Sequence, residues 1–226
     1  LSDRTAEVDG QRDVGHRGLV AAPDRIGTRG IELHRRIAPR HQVQRGVRRQ
    51  RTFFDDADYQ AYLDLAAELL EDWPITFWAY CLMPNHIHAV VVPDSTESLS
   101  KYFAVLHRRY ARRTNLRHEW HGHLWQKRFF SVVMEETHAI AALRYVELNP
   151  VRAGISKSAP DWRWSSSRAN LGITKDPLIE RSQTVNLVPN WRAMISAPDD
   201  EDAVERLRRE TGTGRPHGSI EFLDSI

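Results

Sequence analysis

Two short stretches carry side chains whose types and spacing can do chemistry. The first is Pro84-Asn85-His86-Ile87-His88-Ala89-Val90-Val91-Val92. Its β-branched run reads as a strand, where successive side chains point to opposite faces. His86 and His88 then share one face, with Ile87 behind them. Two imidazoles side by side on a rigid strand make half of a divalent-metal site. Two satisfied histidines on a sheet surface would produce the same pattern. The second stretch is Arg144-Tyr145-Val146-Glu147-Leu148-Asn149-Pro150-Val151-Arg152-Ala153-Gly154. Tyr145 and Asn149 are four apart, so on a helix they lie one turn apart on one face. Tyr145 offers a hydroxyl able to attack phosphorus, and Asn149 an oxygen able to complete a metal shell. A helical tyrosine is also a common core residue, and asparagine before proline a common cap. Pro150 biases Asn149 away from helical geometry, which leaves its side-chain direction open.

The elements that must position these residues can be read from periodicity. His41 to Gly46 alternates weakly as a first strand. Asp55-Asp56 open a helix whose buried side is Tyr59, Tyr62, Leu63, Ala66, Leu69 and Leu70, closed by Pro74. Ile75–Met83 and His86–Val92 are β-rich runs joined by turn chemistry at Met83-Pro84-Asn85. Leu99, Tyr102, Phe103, Leu106 and Tyr110 recur at helical spacing. Trp125 to Met134 reads as a strand, and Thr137 to Leu148 as a helix stopped by Pro150. The order strand, helix, strand, strand, helix, strand, helix predicts an α+β sandwich, mostly antiparallel sheet with helices packed on one face. Residues 1–30 read as a disordered extension, 31–160 as the catalytic domain, and 161–226 as its C-terminal extension. That extension is Trp-rich, then irregular, with one charged helix near Ala203 to Glu210.

The 226 residues are 41% apolar, enough for one buried core with appendages. No apolar run approaches a membrane span, and a lone cysteine, Cys81, fits a small buried strand residue in a reducing cytoplasm. The formal net charge is only +2, but its distribution is uneven. Arg35, Arg36, Arg40, Arg45, Arg48, Arg49 and Arg51 run without an intervening acid. Arg108, Arg109, Arg112, Arg113 and Arg117 form a second cluster, followed by Lys127 and Arg128. Either cluster could be a solvated surface; together they suggest an electropositive face for phosphate backbones.

Combined, these features suit phosphodiester chemistry. A divalent cation neutralises the charge that develops in phosphoryl transfer and orients the phosphate. Tyrosine, with an ordinary pKa of about 10, is a poor nucleophile until activated. Its phosphotyrosine ester keeps the energy of the broken bond, so a free 3′-hydroxyl can reverse the step. Such chemistry suits cutting and rejoining more than digestion.

The stretch Ala79-Tyr-Cys-Leu-Met-Pro-Asn-His-Ile-His88 resembles the signature of HUH endonucleases, in the form used by REP-associated tyrosine transposases. Gln44–Gln50, Phe53–Tyr59, His123–Phe129, Tyr145–Gly154, Trp164-Ser-Ser and Gly214–Gly218 are similar to further segments of that family. The resemblance implies a ferredoxin-like sandwich, with Tyr145 as nucleophile and His86, His88 and Asn149 as ligands of Mg²⁺ or Mn²⁺. It implies a single-stranded hairpin DNA substrate cleaved to a 5′-phosphotyrosine, by a cytoplasmic monomer or homodimer with no membrane or small-molecule partner. Arg45, Arg48, Arg49, Arg51, Arg108, Arg109, Arg112, Arg113, Lys127, Arg128 and Arg152 are the expected DNA contacts. Rival patterns are incomplete. A histidine-triad hydrolase would need histidine where Val90 stands, and no His-Glu-x-x-His or Cys pair closes a zinc site. The alternative of another class is a hairpin-binding protein that does not cut.

Overall fold

The computed structural model describes residues 38–126, 129–179, 184, 186–213, 216 and 218–225. The 1–30 extension, Arg35, Arg36, Lys127, Arg128 and most of the 214–218 motif lie outside the described residues. In chain order the main elements are β1 (Arg40–Arg45), α1 (Asp56–Glu68), β2 (Ile75–Met83) and β3 (His86–Pro93). After them come α2 (Thr96–His118), β4 (Phe130–Val133) and α3 (Glu136–Glu147). The strands form one sheet in the order β2-β3-β1-β4, with every neighbouring pair antiparallel. This is the expected α+β class, in the strand order of a ferredoxin-like sandwich.

Local chemistry sets the element ends. Asp55 accepts a hydrogen bond from the Asp58 N–H at 3.1 Å and starts α1; such a cap stabilises a helix by about 1 kcal/mol. Ser95 and Ser98 form a reciprocal capping box at the start of α2. Met83 pairs with His86, so Pro84 and Asn85 are the two-residue turn between β2 and β3. A bulge between Phe77 and Ala79 then matters for facing. It puts Phe77 on the same side as Tyr80 and Leu82, while Ala79, Cys81 and Met83 face the other way.

The expectation placed the helices on one face; the structure places a core on each. On one side, α1 and α2 pack Tyr59, Tyr62, Leu99, Tyr102, Phe103 and Tyr110 against Ile87, Ala89 and Val91. On the other, α3 packs Ala139, Ala142, Leu143, Tyr145 and Val146 against Cys81, Val90 and Val132. The reason is that β2 and β3 each carry apolar side chains on both faces, and a single helix layer could cover only one of them. Burying a large apolar side chain contributes about 1.5–3 kcal/mol, so neither face is left open.

Three local expectations need correction. The fourth strand is shorter than Trp125–Met134, with Trp125 only bridging Gly46. Helical turn does not stop at Pro150: a short helix α4 (Asn149–Arg152) follows α3 at once, with proline in its first turn where no N–H is needed. The tail is not irregular, since it contains α5 (Ser167–Asn170), α6 (Trp191–Ser196), α7 (Glu201–Thr213) and α8 (Ile220–Ser225). Trp164 anchors it in the first core and Trp191 and Leu207 in the second. These anchors are too widely spaced to show as a period. No helix among the described residues is long and apolar enough to cross a membrane.

Candidate active site

The strands bring three histidines onto the face that α3 covers. In β1, His41, Val43 and Arg45 stand opposite Val90, His88 and His86 of β3. The rings of His86 and His88 lie 4.9 Å apart, near perpendicular, and His41 stacks on His88 at 5.2 Å. Tyr145 presents its ring to His88 at 5.6 Å and to His41 at 6.0 Å, both edge-on. Tyr145 thus faces the histidine pair.

Each imidazole of the pair has its Nδ1 engaged. His86 Nδ1–H donates to Asn85 Oδ1 at 2.6 Å, and His88 Nδ1 is 3.0 Å from His41 Nε2. Burial pushes His41 down to about 4. Burial, helped by the charges of Arg45 and Arg49, pushes His86 down to about 4. His88 is held well below the ordinary value by burial, then by His86, His41, Arg45 and Arg152. All three rings are therefore neutral at physiological pH, the form that binds cations. His88 Nε2 is buried with no hydrogen-bond partner. An orphaned buried nitrogen is costly, and a cation would remove that cost. Nδ1 fixed by an outer partner with the other nitrogen free is the arrangement typical of metal-binding histidine. The residues present therefore fit a divalent ion. No cluster of three His, Cys, Asp or Glu able to hold a metal occurs among the described residues. Asn149 lies one turn beyond Tyr145 with its Nδ2 buried and unpartnered.

α3 is held from the side away from the site. Glu147 is buried and accepts from Ser166 Oγ (2.8 Å), Asn170 Nδ2 (2.7 Å) and Trp191 Nε1 (2.7 Å). Desolvation raises its pKa, while these donors favour the carboxylate. Arg152 lies over the Tyr145 ring, its Cζ 4.6 Å from the centroid, and donates to the Tyr145 carbonyl. Asp199 pairs with Arg152 at 3.5 Å and also with Arg144.

The expected basic contacts separate into two groups. Arg45, Arg49 and Arg152 lie near enough to the histidine pair to depress its basicity. Arg48 shares the exposed turn with Arg49, and Arg51 follows it. That turn is tight: a Cβ on Gly46 would sit 2.5 Å from the Gln50 carbonyl. Arg48 and Arg49 both adopt left-handed backbone, φ 53° and 60°, at a cost of roughly 1–2 kcal/mol each. The α2 arginines lie across the sheet from Tyr145. Arg109 forks onto Glu68 at 2.8 and 3.0 Å, and Arg113 binds buried Asp58 at 2.7 Å. Arg108 and Arg112 are exposed. His41 and Glu147 were not singled out by sequence reasoning. His41 shows in sequence only as a strand residue, and Glu147 only as an acid in an apolar helix.

The βαββαβ antiparallel sandwich thus sets a histidine pair on an inner strand against a tyrosine on the helix that follows β4. Residues 40–149 match the sequence model described as transposase IS200 like. A Haemophilus influenzae protein named for the REP-associated tyrosine transposases is 26% identical over 107 residues. The match takes 42% of this chain and 61% of the relative, so the chain spans about three-fifths of that protein's length. The REP-associated tyrosine transposase of Escherichia coli is 21% identical over 121 residues, 53% of this chain and 71% of its own. A solved REP-associated tyrosine transposase bound to a REP hairpin aligns with a TM-score of 0.50 at 18% identity. That alignment covers 65% of this chain and 93% of the other, and it shows a shared fold.

Proposed function

We propose that this domain binds single-stranded DNA folded as a hairpin and cuts and rejoins it through Tyr145. The observation that carries the reading is the edge of the Tyr145 ring set against His88, whose Nε2 is buried and unpaired. The phenol oxygen bonds to phosphorus as the bond from phosphorus to the 3′ oxygen breaks. The phenol proton passes to water and the departing 3′ oxygen takes one up. The product is a 5′-phosphotyrosine, and attack by a 3′-hydroxyl reverses the step. Arg152 holds the face of the Tyr145 ring through a cation–π contact. Arg45 and Arg49 receive phosphates beside the histidines. His86 and His88 would hold Mg²⁺ or Mn²⁺ with Asn149 or water, and the ion would supply charge neutralisation at the phosphate.

The test is covalent capture of a labelled hairpin oligonucleotide, resolved on a denaturing gel. Wild-type protein should form an adduct with Mn²⁺ and none in EDTA. Tight binding without any adduct would replace this reading with that of a hairpin-binding protein that does not cut.

A further inference from the structure

Asn85 stands between two parts of the site and uses both ends of its amide. Its Oδ1 accepts from His86 Nδ1 at 2.6 Å, and its Nδ2 donates to the Arg49 carbonyl at 3.1 Å. The backbone of the same turn is tied again, because Gly46 N–H donates to the Asn85 carbonyl at 2.9 Å. Arg48 and Arg49 are both left-handed, a conformation that non-glycine residues keep only where surrounding bonds impose it. Asn85 is itself placed by the two-residue turn that joins β2 to β3.

We infer that Asn85 is a positioning residue that locks the imidazole of His86 and the Arg48–Arg49 turn into one relative placement, so that a divalent cation and a DNA phosphate meet at a set separation. The inference rests on the proposed metal and DNA reading. By holding the hydrogen on Nδ1, Oδ1 keeps the Nε2 lone pair of His86 available to a cation. By holding the Arg49 carbonyl, Nδ2 keeps two guanidinium groups on the rim beside it. Neither role requires Asn85 to touch substrate.

The experiment compares wild type with Asn85→Ala and Asn85→Asp, using two probes besides activity. Mn²⁺ affinity is measured on DNA-free protein by electron paramagnetic resonance. Binding of a fluorescent DNA hairpin is measured in EDTA across a salt series. Asn85→Ala should bind Mn²⁺ about 10- to 100-fold more weakly, the usual effect of removing a partner of a metal-binding histidine. Its hairpin binding should also weaken, with a salt slope shallower by about 0.7–1.4 as one or both arginines lose their placement. Asn85→Asp keeps an acceptor for His86 Nδ1, so its Mn²⁺ affinity should return to near wild type. Thermal melting of both variants checks that they fold.

Wild-type Mn²⁺ affinity in Asn85→Ala would overturn the inference, and so would an unchanged salt slope. A folded Asn85→Asp as weak for Mn²⁺ as the alanine variant would also overturn it, because the lost acceptor would then not be the cause. Wild-type protein that takes up no Mn²⁺ would refute the metal reading itself, and the inference with it.

Discussion

The two faces of the sheet use the same residue types to opposite ends. Under α1 and α2, Phe53, Tyr59 and Trp164 stack in a column at 4.5 and 4.8 Å. The tyrosine hydroxyls nearby are spent internally. Tyr102 donates to the Ala66 carbonyl at 2.6 Å, Tyr110 to the Thr52 carbonyl at 2.7 Å, and Tyr62 pairs with His107 at 3.2 Å. Burial raises the pKa of all three, which further unfits them as nucleophiles. Under α3, Tyr145 instead meets His41 and His88, and His88 Nε2 and Asn149 Nδ2 are left without partners. Stability saturates polar groups, whereas a binding site keeps some of them unpaired until a ligand arrives.

The largest contrast should come from the tyrosines. Tyr145→Phe should abolish the covalent adduct while leaving hairpin affinity within about twofold, because it removes one hydroxyl and little buried area. Tyr110→Phe should keep the adduct and cost about 1 kcal/mol of stability for one lost hydrogen bond. An adduct surviving in Tyr145→Phe, read on the same denaturing gel, would move the nucleophile elsewhere.

Charge pairs on the α1–α2 face should matter for stability alone. Asp58 is buried and accepts from Arg113, Arg117 and the Phe54 N–H. Asp58→Ala should cost roughly 2–3 kcal/mol in urea unfolding. That is less than for a fully buried pair, because both arginines can turn to water. Adduct yield per folded molecule should stay at the wild-type level; a selective fall in yield would couple the faces.

Acid should then weaken both faces together. Burial lowers His41 and His86 to about 4 and His107 to about 3, against an ordinary value of 6.5. A histidine whose folded pKa is lowered contributes stability that is present above 6.5 and is lost as pH falls from there toward the folded value. Each should add about 1.4 kcal/mol per pH unit to the slope of unfolding free energy in metal-free protein. The same lowering moves loss of Mn²⁺ binding from the ordinary histidine range toward pH 4. Unfolding free energy that stays flat between pH 6 and 5 would contradict neutral buried histidines.

The smallest effect separates the two basic groups. Arg45→Ala with Arg49→Ala should make the salt dependence of hairpin binding shallower by about 1.4, and Arg109→Ala with Arg113→Ala should leave it unchanged. The second pair is already neutralised by Glu68 and Asp58. Equal changes from both pairs would erase the distinction between the faces.

Much of this was legible without coordinates, and the reason is periodicity. A period of two put His86 and His88 on one face, and helical spacing found Tyr59, Tyr62, Tyr102 and Tyr110 as core. Asp55 marked its helix start because a cap is a local hydrogen bond. Three-dimensional pairing decided the rest. His41 reaches His88 only through the β1–β3 register, 47 residues apart in the chain. The bulge at Phe77 and Ala79 reverses the facing of half of β2, and no residue type announces it. Glu68 and Asp58 reach Arg109 and Arg113 only through the packing of α1 against α2. The sequence by itself determined the elements and the chemical repertoire, since both depend on neighbours within a few residues. Which groups meet, and which stay unpaired, was decided only by tertiary packing, because it depends on contacts between residues far apart in the chain.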